Sequence, residues 1–439
     1  MSSISNSERI TEQEIHSDRT LNRNFILTLI NGIFASVGFR FVDSSMVLSA
    51  FVKELTKSNI MVGLISSTMN VGFMWPQLLV SNLLEHKLYK MPFYITGITI
   101  RIIAWILIPI LTLFIGNSHY HILFLCFYIL YFISCSSLGV SSIPFSDIVA
   151  KAIPSQRRAR LFSLRQLIGE ILGIGTGFLI RFILSDKSGL SFPYNYSVIF
   201  GLSALMMIIA SGAFIMVKEP MQPVRNVKRP LWEHLKRGPN LLKNDKNYRN
   251  YLIFRIISSF GSMCIPFYVT FAFDRIQSPR SAIGLFTAVG AMSAVISNII
   301  WGYIGEKNGS RSIIMKASIL ACITPLTAIS VTYIPSFMQQ KYYFLVFIVN
   351  QAFTSGIGIA NITYALDLAP SKSRPTYLGF INTMIFPISF VPILAGYLIK
   401  IISYETMFII SAGMSAIAVY FASKLANDPN HYDSISDDD

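Results

Sequence analysis

The sequence predicts an all-α integral membrane protein with 12 transmembrane helices, arranged as two pseudo-symmetric six-helix bundles. Hydrophobic residues make up 53% of its 439 positions and charged residues only 13%, a composition outside the range of soluble domains. About twelve apolar runs reach the roughly 20 residues that cross a hydrocarbon core of ~30 Å. One long polar interval, at residues 218–249, divides these runs into two sets of six.

The predicted spans follow one another through short loops in each half. Those of the first half cover residues 25–47, 60–84, 91–115, 120–145, 161–184 and 196–217. Those of the second half cover residues 251–273, 283–304, 313–334, 342–366, 377–402 and 403–425. Only a tight turn near Tyr404 and Glu405 is expected between the last two. The N-terminal bundle therefore occupies residues 23–217 and the C-terminal bundle residues 250–425.

Three polar segments lie outside the bundles. Residues 1–22 and 426–439 are expected to form polar tails, the second of them acidic. The connector at residues 218–249 carries nine Lys/Arg against three acidic residues. Within it, residues 232–238 fit either a short amphipathic helix on the inner leaflet or a plain tether between the bundles.

The distribution of basic residues predicts that both termini lie on the cytoplasmic side of a plasma or inner membrane. With the N-terminus inside, about 25 of the 36 Lys/Arg fall in inside segments and about 7 in outside loops, as the positive-inside rule requires. Loops that face anionic lipid then explain the net charge of +14. Membrane lipids are therefore expected partners, and nucleic acid is not.

The sequence carries no motif that indicates an enzyme or a metal site. Its six histidines form no HExxH or HxxxH pattern on a span, and neither a GxSxG elbow nor a phosphate-binding loop occurs. The four cysteines lie inside apolar runs without a CxxC and are expected to be reduced packing residues. We expect a monomer that uses neither a cofactor nor a metal.

The two halves also resemble each other. Successive spans of the second half begin roughly 207–226 residues after their counterparts in the first, as expected of a duplicated unit. The fourth span of each half ends on an acid, Asp147 in the first and Asp367 in the second. Each acid precedes a Pro-Ser turn that leads to the fifth span.

A basic motif with two flanking glycines lies between the eighth and ninth predicted spans. Its sequence, GYIGEKNGSR at residues 302–311, resembles the cytoplasmic loop signature of the major facilitator superfamily, with Glu306 in place of the usual Asp. The resemblance implies the fold of that superfamily and secondary transport of a small organic solute by alternating access. The equivalent loop of the first half keeps an acid, Glu85, and a base, Lys90, but lacks both glycines.

This motif predicts a cytoplasmic gate. Gly302 would allow close helix approach, Glu306 would cap a neighbouring helix N-terminus, and Gly309 would permit the chain to reverse. Two basic residues would lie at the level of the lipid phosphates. The candidate gate residues are Gly302, Glu306, Lys307, Gly309, Arg311, Glu85, Lys90, Asp147 and Asp367.

The fifth predicted span contains an acid, Glu170, among four glycines. About nine residues into the span, it lies ~13 Å deep and shares a helical face with Gln166 and Gly173. A charge at this depth marks a candidate functional residue. Glu170 either takes up and releases a proton during transport or is a structural acid paired to an arginine of the first bundle.

The glycines of this span bear on the direction of transport. Gly169, Gly173, Gly175 and Gly177 resemble the glycine-rich fifth helix of antiporters in this superfamily, which slightly favours export. The proline usual there is missing, so an uptake symporter or a uniporter stays open. Small residues at this spacing also occur wherever membrane helices pack closely.

Other charged residues lie within or beside the spans. Arg40 and Asp43 share a helical face, so they form an intrahelical ion pair or together face an outer vestibule. The resemblance implies that the seventh span lines a cavity, so Arg255 either contacts substrate or reaches towards cytoplasmic phosphate. Arg101, in the third span, is expected to be structural and to pair with an acid of its own bundle. Asp274 is expected to be an interfacial charge.

Uncharged polar residues complete the candidate lining of a substrate cavity. They are Asn31 in the first span, Asn350, Thr354 and Asn361 on one stripe of the tenth, and Asn382 in the eleventh. Each of these amides fits a helix–helix hydrogen bond equally well. Proline at position 387 is expected to bend the eleventh span.

Two classes of function are compatible with these features. The first is secondary transport of a small organic solute, coupled to protons through Glu170. The second is a non-transporting membrane sensor, or a lipid translocator, built on the same fold.

Overall fold

The computed structural model describes residues 6–84, 87–116, 119–220, 242–243, 245–368 and 374–426 of the chain. All regular secondary structure in these ranges is helical, which confirms the predicted fold class. Residues 232–238 of the connector, with their proposed amphipathic helix, lie outside the described residues. The N-terminal helix begins at Asn6, inside the segment predicted to be a tail.

The first half of the chain forms seven helices, which we call the first lobe. They are α1 (Asn6–Phe41), α2 (Val47–Thr56), α3 (Asn59–Leu84), α4 (Met91–Ile115), α5 (Tyr120–Ala152), α6 (Ser155–Ile183) and α7 (Tyr194–Ile215). The helices described in the second half form the second lobe. They are α8 (Lys246–Gly261), α9 (Tyr268–Asp274), α10 (Ala282–Ser330), α11 (Ser336–Leu368), α12 (Arg374–Ile385), α13 (Val391–Ile401) and α14 (Tyr404–Ser423).

Ten helical stretches of the described chain are long and apolar enough to cross a membrane. One of them, Ala282–Tyr333, has 52 residues and is interrupted by non-helical backbone at Gly309, so it accounts for two crossings. Helix α3, with 26 residues, is long enough to supply one more. These helices match the 12 predicted spans in order.

The first predicted span ends differently from the expectation. Helix α1 stops at Phe41, and α2 begins at Val47 and continues to Thr56. Helix α2 forms because its apolar face is buried in the first lobe: Phe51 is fully buried, and its ring centroid lies 5.1 Å from those of Phe127 and Tyr196. Residues 48–56, predicted to lie in the loop between the first two spans, are therefore helical.

Proline interrupts two of the later spans. The seventh is broken by a 3-10 turn at Ile265–Phe267, and the eleventh by another at Phe386–Phe390. Each turn contains a proline, which cannot donate the backbone hydrogen bond of a continuous α-helix. The predicted bend at Pro387 is confirmed.

The alternation of the helices gives the bundle two faces. The face that carries Asn24 and Lys218 is called the terminal face. The face that carries Lys53, Asn59 and Tyr404 is called the far face. The lobes meet mainly along two helix pairs, α6 with the first part of α10 and α3 with α13. Both pairs make their closest contacts in the half of the molecule nearer the far face.

Glycine makes the α6–α10 contact possible. A Cβ atom added to Gly177 would lie 2.5 Å from the backbone nitrogen of Ala288, and one added to Gly284 would lie 2.2 Å from the nitrogen of Arg181. The two backbones thus touch directly, as small residues allow in membrane helices. The first and second lobes are therefore in backbone contact in the half of the molecule nearer the far face.

Candidate functional site

A cavity of about 480 Å³ lies between the two lobes; we call it the central cavity. The first lobe lines it with α3 and the turn before α2, and the second lobe with α8, α12, α13 and the two proline turns. Polar groups dominate the contribution of the first lobe. The polar lining residues are Ser44, Ser45, Ser66, Asn70, Gln77, Arg255, Ser259, Ser262, Asn382 and Ser389.

Arg255 is the one charged residue among the described residues that line the central cavity. Its Nη1 donates to the hydroxyl of Tyr251 at 3.3 Å, and that hydroxyl donates to the carbonyl oxygen of Asn361 at 2.9 Å. Within the described chain, no carboxylate lies within ion-pair distance of Arg255. Its guanidinium is therefore held in place by tyrosine and has donors left for a ligand.

Two of the eight predicted cavity residues, Arg255 and Asn382, line the central cavity. Of the others, Asn31 donates to the carbonyl oxygen of Ala210 at 2.8 Å and joins α1 to α7. The hydroxyl of Thr354 donates to the carbonyl oxygen of Gln351 in its own helix, and Asn350 is buried inside the second lobe. Of these three side chains, Asn31 makes the hydrogen bond between helices that small polar groups commonly make in membranes.

Arg40 forms an ion pair with Glu170 that joins α1 to α6. The side chains are only 14% and 16% exposed. The expected pairing of Arg40 with Asp43 is wrong because α1 ends between them, at Phe41. The interpretation of Glu170 as an acid paired to an arginine of the first bundle agrees with this geometry.

Asp43 instead holds the turn that precedes α2. Its Oδ1 accepts hydrogen bonds from the backbone N–H groups of Ser45 and Met46, each at 2.9 Å. Aspartate commonly stabilises a turn in this way, by accepting from backbone N–H groups two and three residues further on. The short turn between α1 and α2 is thereby fixed beside the central cavity.

The Arg40–Glu170 pair lies next to the contact between the lobes. A Cβ atom on Gly173, one turn after Glu170, would lie 3.5 Å both from Cγ of Arg40 and from Cβ of Ala291 in the second lobe. Any shift of the Arg40 or Glu170 side chain would therefore occur beside the surface on which α6 meets α10.

Two ion pairs join the lobes on the far face. Lys53 Nζ lies 2.6 Å from Oδ2 of Asp274, and Tyr404 donates to the same oxygen at 2.7 Å. Arg280 Nε lies 3.0 Å from Oε2 of Glu54. Asp274, expected to be a simple interfacial charge, thus belongs to an inter-lobe cluster.

Glu54 is the most buried acid of this cluster, with a side chain 7% exposed. Tyr196 donates to its Oε1 at 3.2 Å. Burial raises the pKa of the Glu54 carboxyl, and the neighbouring Arg280 opposes that effect. Sequence reasoning missed Glu54 because the first span was expected to end at residue 47; the apolar period of residues 47–55 was the available signal.

The gate motif makes its contacts within the second lobe. Gly309 adopts φ 73° and ψ 171°, as expected for the reversal. Ser310 donates to Oδ2 of Asp367 at 3.1 Å, and Arg311 Nη2 donates to the carbonyl oxygen of Ser423 at 2.6 Å. These bonds connect the loop to the ends of α11 and α14.

Other expectations for this motif differ from the structure. A Cβ atom on Gly302 would meet nothing within 4 Å, so the predicted close helix approach there is wrong. Glu306 is exposed and caps no helix among the described residues. Lys307 lies over the ring of Tyr303, with its Nζ 5.9 Å from the ring centroid.

The equivalent region of the first lobe is organised by an acid that the sequence analysis did not single out. The carboxylate of Glu219 accepts from the backbone N–H groups of Lys90 at 3.0 Å and Met91 at 2.9 Å, at the N-terminus of α4. Lys151 Nζ pairs with Glu219 at 3.2 Å and with Asp147 at 2.8 Å. Glu85, the other predicted gate acid, lies outside the described residues.

Arg101 lies in the interior of the first lobe and is 6% exposed. The expected acidic partner is missing: among the described residues, no carboxylate lies within ion-pair distance of Arg101. Its guanidinium carbon instead lies 4.6 Å from the ring centroid of Phe39. The sequence could not have shown that Arg101 lacks a carboxylate partner, because that depends on how the helices pack.

Comparison with known sequences finds a family match over the second half of the chain. The model of the Major Facilitator Superfamily matches residues 251–437. The chain is 20% identical over 249 residues to "Uncharacterized protein Rv2209" of Mycobacterium tuberculosis and to "Uncharacterized protein Mb2232" of Mycobacterium bovis. Each match covers 56% of this chain and 47% of the relative, so the chain spans about half the length of the curated relatives it matches.

Solved structures share the fold over nearly the whole chain. The nucleoside transporter NupG aligns with a TM-score of 0.62 at 16% identity, over 92% of this chain and 98% of that one. A bacterial homologue of the iron transporter ferroportin, in an inward-facing state, gives 0.70 at 11% identity, over 92% and 98%. A POT family transporter in complex with 5-aminolevulinic acid gives 0.67 at 12% identity, over 92% and 95%.

Proposed function

We propose that this chain belongs to the major facilitator superfamily and is a secondary transporter that moves a small organic solute by alternating access. The family match over residues 251–437 and the shared fold support this proposal. The superfamily consists of transporters and not of enzymes, in agreement with the sequence analysis. The observation that carries the proposal is a cavity lined by both lobes. A site shared by two bodies opens to one side or the other as those bodies rock.

The far-face contacts support this mechanism. The two ion pairs and the glycine contacts between α6 and α10 hold the lobes together on that face. We infer a conformation that is closed on the far face and open towards the terminal face. The bias of Lys/Arg in the loops supports a cytoplasmic terminal face, and this conformation would then be inward-facing.

The lining of the central cavity favours a solute with an anionic or electron-rich group. Arg255 supplies a guanidinium for such a group, and amides and hydroxyls supply further hydrogen bonds. The volume lies within the range of small-molecule sites. A metal-ion cargo is less favoured, because the described lining offers a cation and no carboxylate.

Proton coupling through Glu170 is part of the proposal. Protonation would neutralise Glu170 and leave Arg40 without its counterion, which weakens the link between α1 and α6. That link lies beside the contact between the lobes. The glycine pattern of α6, which resembles that of antiporters in the superfamily, supports export in exchange for protons, with uptake by symport or uniport as the alternatives.

The test begins with the purified protein and a thermal-shift screen of nucleosides, amino acids, carboxylates and sugars, since a ligand stabilises the state that binds it. The best ligand is then followed into proteoliposomes. Arg255→Ala is expected to lower transport at least tenfold, and Arg255→Lys to retain part of it. The matched control is Lys187→Ala, an exposed change on the far face that should leave transport unchanged.

Two results would contradict the proposal. Wild-type transport by Arg255→Ala would remove Arg255 from the substrate site. A folded protein that binds a ligand but moves it in neither direction, with or without a pH gradient, would favour the non-transporting sensor.

A further inference from the structure

A second cavity, of about 240 Å³, lies inside the first lobe among α1, α3, α4 and α5; we call it the first-lobe cavity. It does not lie between the lobes, so rocking of the lobes does not by itself open or close it. Ser44, in the turn before α2, lines both this cavity and the central cavity. The two spaces therefore adjoin at that turn.

Two buried donors line the first-lobe cavity without partners. Arg101 is 6% exposed, and its Nε has no acceptor among the described residues. Trp105, one helical turn further along α4, is 2% exposed, and its Nε1 also has no acceptor there. A buried charge without a counterion is strongly disfavoured, and each unpaired buried donor adds to that cost.

The chemistry of the lining selects a ligand. A guanidinium and an indole N–H both donate, so the complementary group has at least two acceptor oxygens, as a carboxylate has. The rings of Phe39 and Tyr131, with Met69, offer an apolar surface for a short carbon chain. Asp43 also lines the cavity, so an ammonium group on the same ligand has a partner.

We propose that the first-lobe cavity is a second binding site, distinct from the central cavity, for a small organic carboxylate. Arg101 and Trp105 bind the carboxylate, and Asp43 strengthens the binding of ligands that also carry an ammonium group. Asp43 still holds the turn before α2 through its Oδ1. The proposal does not depend on transport, because it concerns binding within one lobe.

Three five-carbon probes separate the possible recognition groups. Valerate carries the carboxylate alone, norvaline the carboxylate with an ammonium group, and pentylamine the ammonium group alone. They are titrated into the purified full-length protein carrying Arg255→Met, which removes the cation of the central cavity. Tryptophan fluorescence and thermal shift report binding, and Trp105→Phe identifies the part of the fluorescence change that arises in the first-lobe cavity.

The expected result is saturable binding of valerate and norvaline, with norvaline the tighter of the two, and none of pentylamine. Arg101→Met should lower the affinity for both ligands at least tenfold and leave the protein folded, because it removes an unpaired buried charge. If Arg101→Met does not fold, Arg101→Lys, which keeps the charge but loses the planar fork, should still weaken binding tenfold. Absence of carboxylate binding, or binding that neither Arg101 variant weakens, would overturn the proposal.

Discussion

At the scale of single residues, the Arg40–Glu170 pair carries the proposed coupling. Glu170→Gln keeps the size of the side chain but removes its charge, so protonation can no longer switch the pair. We expect loss of proton-driven transport with counterflow retained. Transport along a pH gradient and counterflow at equal pH, measured in the same proteoliposomes, separate the two.

The matched control for Glu170→Gln is Asp186→Asn, an exposed acid in the turn between α6 and α7. It should leave both kinds of transport unchanged. An unaltered pH dependence in Glu170→Gln would remove this residue from the coupling mechanism.

The residue scale is where sequence reasoning was least complete. The sequence identified Glu170 and Arg40 as unusual charges, because each lies within an apolar run. Helical spacing suggested Asp43 as the partner of Arg40, whereas the partner lies 130 residues away in α6. Which distant residues pair depends on how the helices pack. The spacing of residues along one helix carries no information about that packing.

At the scale of elements, the α6–α10 contact depends on the absence of a side chain at Gly177. Gly177→Val places atoms where the backbone of Ala288 now lies, 2.5 Å from the added Cβ. The far face should then close incompletely, and a cysteine introduced at Ser262 in the central cavity should become accessible to a thiol reagent from the far face. The measurement is labelling by an impermeant reagent in sealed proteoliposomes of known orientation.

Gly175 provides the control on the same helix. A Cβ atom there would meet nothing within 4 Å, so Gly175→Val should leave the labelling unchanged. Equal labelling of the two variants would show that the α6–α10 contact does not close the far face.

A second element-scale prediction concerns the loop at Gly309. Its φ of 73° and ψ of 171° lie in a region that is essentially restricted to glycine. Gly309→Ala should destabilise the protein by about 1–3 kcal/mol, measured by chemical unfolding in detergent. Gly302→Ala, in open space within the helix, should be neutral or stabilise by up to ~1 kcal/mol; equal effects of the two changes would contradict this account of the loop.

The order and type of the elements could be predicted because each span is an apolar run of fixed minimum length. Their interruptions could be predicted only in part. Pro387 indicated the break in the eleventh span, whereas α2 was missed because its buried face continues the apolar pattern past a turn at Asp43. The contacts of Glu219 with the N-terminus of α4 could not be predicted, since four helices separate the two segments along the sequence.

At the scale of the whole molecule, the duplicated pattern of six spans predicted two lobes, and the family resemblance implied a cavity between them. It could not predict which face is closed, because closure depends on side chains of different lobes that meet only after folding. The pairs Lys53–Asp274 and Glu54–Arg280 provide that information. Removing both pairs should therefore shift the lobes towards the opposite conformation.

The most direct test of the account is a pair of distance measurements between spin labels on the two lobes. One pair, at Lys187 and Ser336, spans the far face, and the other, at Lys87 and Asn308, spans the terminal face; all four sites are exposed. In a cysteine-free background, Lys53→Ala with Arg280→Ala should add longer far-face distances and shorter terminal-face distances. Distances that lengthen on both faces, or that change on neither, would contradict alternating access by these lobes.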